Sequence, residues 1–232
     1  MGMIISPHAQ GTTAWLEEKA GILGASELGE LVKLNFDLRT GEMVQTLLAR
    51  KLAERWNGPL LGFSSFATDQ GNILEDEALP WLAFNYDVEI SRPGFLMTDD
   101  KSFGSSPDGI ISHTEDSEEM GLEVKCYQPV HVVKALLDGE VPKEHLAQIH
   151  GGMFVTGYKR WKFLSYHRSF PKLLLTVDRD EEIQKKIAVA VAEFKDRMEA
   201  GWKHLLDLNG GEPPPKREPM TFAHEFRSEM PT

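Results

Sequence analysis

Cysteine occurs once, at Cys126, so no disulfide can form within the chain. A reducing cytoplasm is the expected setting. No apolar run approaches the roughly 18 residues that would mark a membrane-spanning helix. The opening MGMIIS has no basic patch ahead of an apolar stretch, so no secretory signal is read there, although Met1-Gly2 formally fits a short acylation pattern. No internal repeat is found, which argues against solenoids and propellers. Positive charge is scarce: 25 Lys and Arg stand against 36 Asp and Glu, a formal net charge of −11. That argues against a protein that coats nucleic acid indiscriminately, whose surface should be basic. It does not exclude an enzyme acting on DNA, because metal-binding carboxylates count against the total and a basic track can be local.

The 232 residues are enough for one large domain or two small ones. TTAWLEEKAG reads as a short helix with a Thr N-cap and a Gly stop, and ASELGELVKLNF as a second helix capped by Ser26. GEMVQTLLARKLAERWNG is an amphipathic third, and a longer helix runs from about Ala67 to Tyr86, tolerating or ending near Pro80. From Asp87 the texture changes to short apolar segments separated by turn residues, as in an antiparallel meander. Two helical stretches, two strands and a long helix from about Asp180 to Leu208 follow. The order predicts an α+β (mixed α/β) fold with a central mixed sheet flanked by helices. Residues 1–208 are expected to form a single domain. The Gly- and Pro-rich 209–232 reads as a loosely ordered tail or, given Met220, Phe222 and Phe226, a docking arm.

Within the meander, SSPDGIISHTEDSEEMGLEVKC carries polar residues where a half-buried strand would have apolar ones. Strand side chains alternate between faces, so Glu123 and Lys125 share one face while Leu122 and Val124 take the other. Asp108 follows the Ser106-Pro107 step at the start of the preceding strand and approaches Glu123 if the two strands form a hairpin. Two carboxylates and a lysine suit phosphodiester hydrolysis. Hard carboxylate oxygens bind Mg²⁺ or Mn²⁺, which neutralises the phosphate charge and acidifies a bound water, and the Val124 carbonyl is a natural extra ligand. The lysine can orient or deprotonate that water, or stabilise developing charge. Taken alone, Glu123 and Lys125 read as an ordinary solvated strand face, since Glu-x-Lys recurs at Glu17–Lys19.

Glu75 sharpens the pattern. It lies on the apolar stripe of its helix with Ala78, Leu79 and Leu82, where a carboxylate is costly unless it is paired, with Lys125 as the candidate partner, or bound to metal. Gln148 stands on another helix near Gly151 and Gly152, a pair that signals close approach of a strand, another helix or the substrate backbone, with tight packing the preferred reading. Asp99 and Asp100 read as turn chemistry. Phe63 and Phe66 read as packing residues, with an aromatic wedge against a duplex end as the alternative.

SSPDGI…GLEVKC is similar to the core of the PD-(D/E)xK nuclease superfamily, the restriction-endonuclease-like core. AWLEEKAGILGASELGELV, GNILEDEA and HLAQIHGGMFVTG extend the resemblance, in collinear order over about residues 12 to 165, to the phage lambda exonuclease (YqaJ-type viral recombinase) family. The resemblance implies a metal-dependent 5′→3′ exonuclease that digests linear double-stranded DNA to mononucleotides and leaves 3′ single-stranded tails. It further implies a homotrimeric ring around the DNA, a single-strand annealing partner, and a phage or prophage product in a bacterial cytoplasm. By motif match, Asp108, Glu123, Val124 and Glu75 would hold Mg²⁺, as a two-ion site in which Mn²⁺ substitutes. Lys125 would activate the water, with Gln148 beside it. Lys19, Ser26 and Ser106 would grip the 5′-phosphate; Lys19 stands where the best-known member has arginine, and a point charge lacks the bidentate fork. His145 replaces a tyrosine, which leaves its role open, and the loop with Glu115, Asp116, Glu118 and Glu119 is longer and more acidic than the family's. An endonuclease of the same superfamily and a catalytically degenerate DNA-end-binding module are the alternatives.

Overall fold

The computed structural model describes residues 2–60, 66–112 and 118–215, without the side chains of 66–73. Phe63, the side chain of Phe66, the tip of the acidic loop at 113–117 and the tail segment with Met220, Phe222 and Phe226 lie outside the described residues. In chain order the elements are β1 (Met3–Ile5), α1 (Thr13–Lys19), β2 (Leu23–Gly24), a 3₁₀ turn (Ala25–Glu27), α2 (Leu28–Leu31), α3 (Glu42–Asn57) and α4 (Phe66–Tyr86). Then come β3 (Glu89–Ser91), β4 (Leu96–Thr98), β5 (Phe103–Ser105), β6 (Gly109–Ser112), β7 (Met120–Lys125), α5 (Pro129–Asp138), α6 (Lys143–Thr156), β8 (Arg160–Ser165), β9 (Leu173–Asp178) and α7 (Glu181–Leu208).

Among the described residues the strands form two mixed sheets, in the orders β1-β4-β5-β2 and β3-β6-β7-β8-β9. The α+β class and the mixed central sheet are therefore as expected. The meander is not one sheet, however: β4 and β5 leave it to join β1 and β2, which have no strand-length pattern of their own. β7 and β8 pair in parallel, and the necessary crossover is supplied by α5 and α6.

Several local readings hold for the physical reasons that suggested them. Thr12 caps α1 by accepting a hydrogen bond from Trp15 N. Asp180 caps α7 by accepting from Glu182 N and Ile183 N, and the helix then buries Ile187, Ala190, Val191, Phe194 and Met198 along one stripe. Pro80 sits inside α4 on its exposed side, where the carbonyl it leaves unpaired meets water.

The second helix departs from expectation. It ends at Leu31, and Ser26 is an exposed residue of the 3₁₀ turn rather than its cap. The Glu27 carboxylate accepts from Gly24 N at 2.8 Å instead. Beyond Leu31 the chain turns back so that Val32 bridges Leu38, Phe36 is buried, and Arg39 Nε donates to the Val32 carbonyl at 2.7 Å. Burying Leu31, Val32 and Phe36 in one core outweighs continuation of the helix.

Three apolar clusters organise the fold. The largest joins α2, α3, α7 and the smaller sheet. The second lies between α4 (Ala78, Leu79, Leu82) and one face of the larger sheet (Ile111, Met120, Leu122, Val124, Leu164). The third lies under α6 on the opposite face, around Ile149, Met153, Trp161 and Phe163. There the Trp161 indole fills space left by two glycines. A Cβ on Gly152 of α6 would stand 2.4 Å from the ring, and one on Gly121 of β7 would stand 2.3 Å from it. A Cβ on Gly151 would come within 3.0 Å of the Ala25 Cβ. The paired glycines thus serve close approach, as their cost in a helix suggests.

Gly152→Ala should lower thermal stability although alanine favours a helix by ~1 kcal/mol, because overpacking a rigid indole costs about 1–3 kcal/mol. Gly29→Ala in α2 meets nothing within 4 Å and should leave stability unchanged or raised. Thermal denaturation of the two variants checks the contrast.

Candidate active site

The site begins with the Ser106-Pro107 step. The Pro107 carbonyl accepts from Gln10 Nε2 at 2.9 Å, and Asp108 N donates to the Leu122 carbonyl at 3.0 Å, so the entry to β6 is held against β7. The Asp108 side chain turns along the same edge: Oδ2 accepts from Val124 N at 2.6 Å. Within a strand a residue's N–H and C=O leave on the same side, so the Val124 carbonyl also faces the β6 edge that carries Asp108.

Glu123 and Lys125 share a face of β7, but not a solvated one. α6 covers it, and Glu123 is only 2 % exposed. Lys125 Nζ stands 2.5 Å from Glu123 Oε1, and that oxygen has no hydrogen-bond partner besides this ion pair. The Gln148 side chain, on α6, favours the charged form of the same carboxylate. Leu122 and Val124 enter the core against α4 as alternation requires.

Glu75 approaches from α4, on the stripe that carries Ala78, Leu79 and Leu82. Its partner is Arg92, not Lys125. The guanidinium is forked, with Nη2 on Glu75 Oε1 and Nη1 on Asp76 Oδ1 at 2.7 Å. Arg92 went unnoticed in the sequence because it stands just past β3 in a turn, SRPG, with no periodic signal tying it to α4.

These groups titrate together. Burial, then the charge of Glu123, raises the Asp108 carboxyl to about 7 despite the Val124 N–H. Burial, then Asp108, raises Glu75 to about 7 against the pull of Arg92. Burial raises Glu123 as well, with Lys125 opposing. Burial works to discharge Lys125, but the three carboxylates outweigh it and hold the ammonium above its ordinary value. Three carboxylates therefore share a site with two cations, Lys125 and Arg92, and the site is short of positive charge.

Among the described residues no three His, Cys, Asp or Glu side chains are gathered closely enough to form a metal cage. The residues nevertheless fit a hard divalent cation. The donors are all oxygen, and the carboxyls of Asp108, Glu123 and Glu75 are held back from ionising by burial and by one another's charge. Asp108, Glu123 and the Val124 carbonyl would form one set of donors, while Arg92 holds Glu75.

The three residues expected to grip phosphate sit on the smaller sheet and the helix before it. Gly24 and Gly104 pair in parallel, so Ser26 and Ser106, each two residues further on, leave the sheet at the same end. Ser26 is exposed, and the Ser106 hydroxyl is buried with no hydrogen-bond partner among the described residues. Lys19 lies over the Trp15 ring at 4.2 Å; burial, then the neighbouring Lys51, lowers its pKa.

Other candidates find ordinary partners. Asp99 accepts from Gly2 N, and Asp100 is bonded to Thr98, Ser102 and Lys195 in the β4–β5 turn, which is turn chemistry as read. Glu118 pairs with Lys159, and Glu119 accepts from Tyr158 Oη. His145 stacks on Phe163 and meets Tyr127 Oη at 2.5 Å; burial, then Lys125, lowers its pKa to about 4, so it is neutral near pH 7.

The sequence matches the model of the YqaJ-like viral recombinase domain over residues 14–159. No curated protein matches it. The fold is similar to that of LHK-Exo in complex with dAMP, at 21 % identity and a TM-score of 0.76, covering 86 % of this chain and 98 % of that one. The alkaline exonuclease LHK-Exo from Laribacter hongkongensis gives 20 % and 0.74 with the same coverage. A phage-related exonuclease from Haemophilus somnus 129PT gives 12 % and 0.57, over 81 % of this chain and 96 % of that one.

A carboxyl that keeps its proton to higher pH folded than unfolded removes stability as the pH rises past its unfolded value, and the loss is complete above its folded one. For Asp108 that window runs from the ordinary 3.8 to about 7. With EDTA present, Asp108→Asn should therefore melt above wild type at pH 8, by about 2–8 °C, and the gap should narrow toward pH 5. Melting curves at the two pH values check it.

Proposed function

The chain belongs to the YqaJ-like viral recombinase domain family, and on that footing we propose that it is a metal-dependent exonuclease. It would digest linear double-stranded DNA 5′→3′ to mononucleotides and leave 3′ single-stranded tails for recombination. The observation that carries the proposal is the gathering of Asp108, Glu123, Lys125 and Glu75, with an excess of buried negative charge, where β6 begins and β7 ends in the middle of the larger sheet. The likeness to solved exonucleases at 20–21 % identity supports it through the fold alone.

Asp108, Glu123 and the Val124 carbonyl would hold the metal, with Glu75 completing a two-ion site for Mg²⁺ or Mn²⁺. Bound there, a divalent cation supplies charge neutralisation for the phosphodiester and a more acidic water. Gln148 would orient the Glu123 carboxylate from α6. Lys125 remains an ammonium beside these carboxylates, so its role is to orient the attacking water by hydrogen bonding and to stabilise negative charge developing on the phosphate oxygens. Lys19, Ser26 and Ser106 would receive the terminal 5′-phosphate, the two serines as hydroxyl donors and Lys19 as a point charge.

Residues 1–208 would act as one nuclease unit, since α7 packs into the same core as α2 and α3. A homotrimeric ring would reconcile the net charge of −11 with DNA binding by turning basic residues inward and acidic ones outward. The protein would work with a single-strand annealing partner in the cytoplasm of a phage-carrying bacterium. No helix among the described residues is long and apolar enough to cross a membrane.

The test is a labelled linear duplex with and without Mg²⁺. Mononucleotides should be released only with Mg²⁺, and closed circular DNA should survive. Lys125→Ala should lose roughly 10²- to 10⁴-fold in rate. Digestion unchanged by that substitution would contradict the assigned role. Ends with a 5′-hydroxyl should be cut more slowly than 5′-phosphate ends, and Lys19→Ala should erase the difference; equal rates on both ends in wild type would remove the phosphate pocket.

A further inference from the structure

Arg92 contacts the candidate site and has no place in the scheme above. It stands past the edge strand β3, and its side chain is 45 % exposed. One arm of the fork holds Asp76, itself mostly exposed, and the other holds Glu75, which is 22 % exposed. As a staple for the fold this is a poor investment, because ion pairs at the surface contribute about 0–1 kcal/mol. Its position suggests something else. Glu75 is the carboxylate that would complete the metal site, and the field of Arg92 reaches Asp108 as well.

A guanidinium and a divalent cation brought to the one Glu75 carboxylate repel each other strongly. Without metal, Arg92 supplies the charge that Glu75 requires. When a divalent ion takes Glu75, that contact is lost, and Arg92 can swing outward at little cost because its head is already at the rim, in water. A planar fork released at the mouth of a DNA-cleaving site is suited to phosphate oxygens, which it can grip with two parallel hydrogen bonds. We propose that Arg92 is an exchange cation: it holds Glu75 in the metal-free protein and passes to a backbone phosphate of the DNA once Glu75 is engaged by metal. The proposal rests on the metal-dependent nuclease reading, and it makes Arg92 a substrate-binding residue whose availability is set by metal occupancy.

Two measurements on the full chain decide it. The first is Mn²⁺ affinity without DNA, from the free-ion electron paramagnetic resonance signal, for wild type, Arg92→Gln and Arg92→Lys. Loss of a competing ligand should tighten Mn²⁺ binding about 5- to 100-fold in Arg92→Gln, within the usual range of coupling between two sites. Arg92→Lys keeps the charge without the fork and should fall between the two. The second is affinity for a 5′-phosphorylated duplex end with Mn²⁺, measured across salt concentrations on a Lys125→Ala background. Arg92→Gln should bind more weakly, with the slope of log affinity against log salt reduced by about one, the signature of one lost phosphate contact. Mn²⁺ binding that is unchanged or weaker in Arg92→Gln overturns the exchange. An unchanged salt slope overturns the transfer to phosphate. Melting curves establish that the variants are folded, and Arg92→Lys carries the test if Arg92→Gln is not. If wild type neither binds nor cuts DNA, the nuclease reading fails on its own, because the Mn²⁺ titration needs no DNA.

Discussion

Glu123 is a carboxylate in a place that water does not reach, and much of the structure follows from keeping it there. It stands on the face of β7 that α6 covers, 2 % exposed, with Lys125 and Gln148 as its polar company. For α6 to lie that close, its packing surface must be nearly flat, and Gly151 and Gly152 make it so, the latter against the Trp161 indole. For β7 to run beneath it, a parallel partner must return through a helical crossover, and α5 and α6 are that crossover. The same helix thus closes the core and delivers Gln148 to the carboxylate. Sheet register, helix packing and site chemistry are one constraint seen at three scales.

The distribution of charge has a similar logic. The chain carries a net −11, yet its buried charges are arranged by sign. Away from the site, Lys51 lies deep in α3 with its ammonium divided between Glu27 at 2.7 Å and Glu54 at 2.9 Å, and these carboxylates also accept from the backbone at Gly24 and Gly21. Each charge there has a partner of opposite sign. Near Glu123 the balance differs. Asp108 has a backbone N–H, Glu75 shares Arg92 with Asp76, and Glu123 has Lys125, which leaves carboxylate in excess. Excess charge in a low-dielectric setting is costly, and such a cost persists where a bound cation or substrate relieves it.

Parts of this were legible in the residues. The alternation in GLEVKC separated Glu123 and Lys125 from Leu122 and Val124, and the apolar stripe of α4 singled out Glu75 from Asp76 and Glu77. Caps at Thr12 and Asp180 began helices where their side chains could accept backbone bonds. What failed were readings that depended on a neighbour far away in sequence. Ser26 looked like a cap, but the backbone after Leu31 is governed by the burial of Val32 and Phe36. LMT and FGS looked like parts of one meander, but they pair with β1 and β2 at the other end of the chain. Glu123 alone looked solvated, because a strand pattern does not say whether a helix covers a given face.

The sequence by itself determined the periodicities, the chemistry of the donors and the order in which they arrive, because these depend on residue type and local spacing. It determined that carboxylates and a lysine would be carried on a hairpin, with further polar groups on two helices. Only the tertiary structure decided that Glu75 pairs with Arg92, that Gln148 reaches Glu123, and that Ser26 and Ser106 leave the small sheet at one end. Each of those is a contact between segments brought together by packing. Its energy comes from burial and charge balance across the whole core, and no local pattern encodes either.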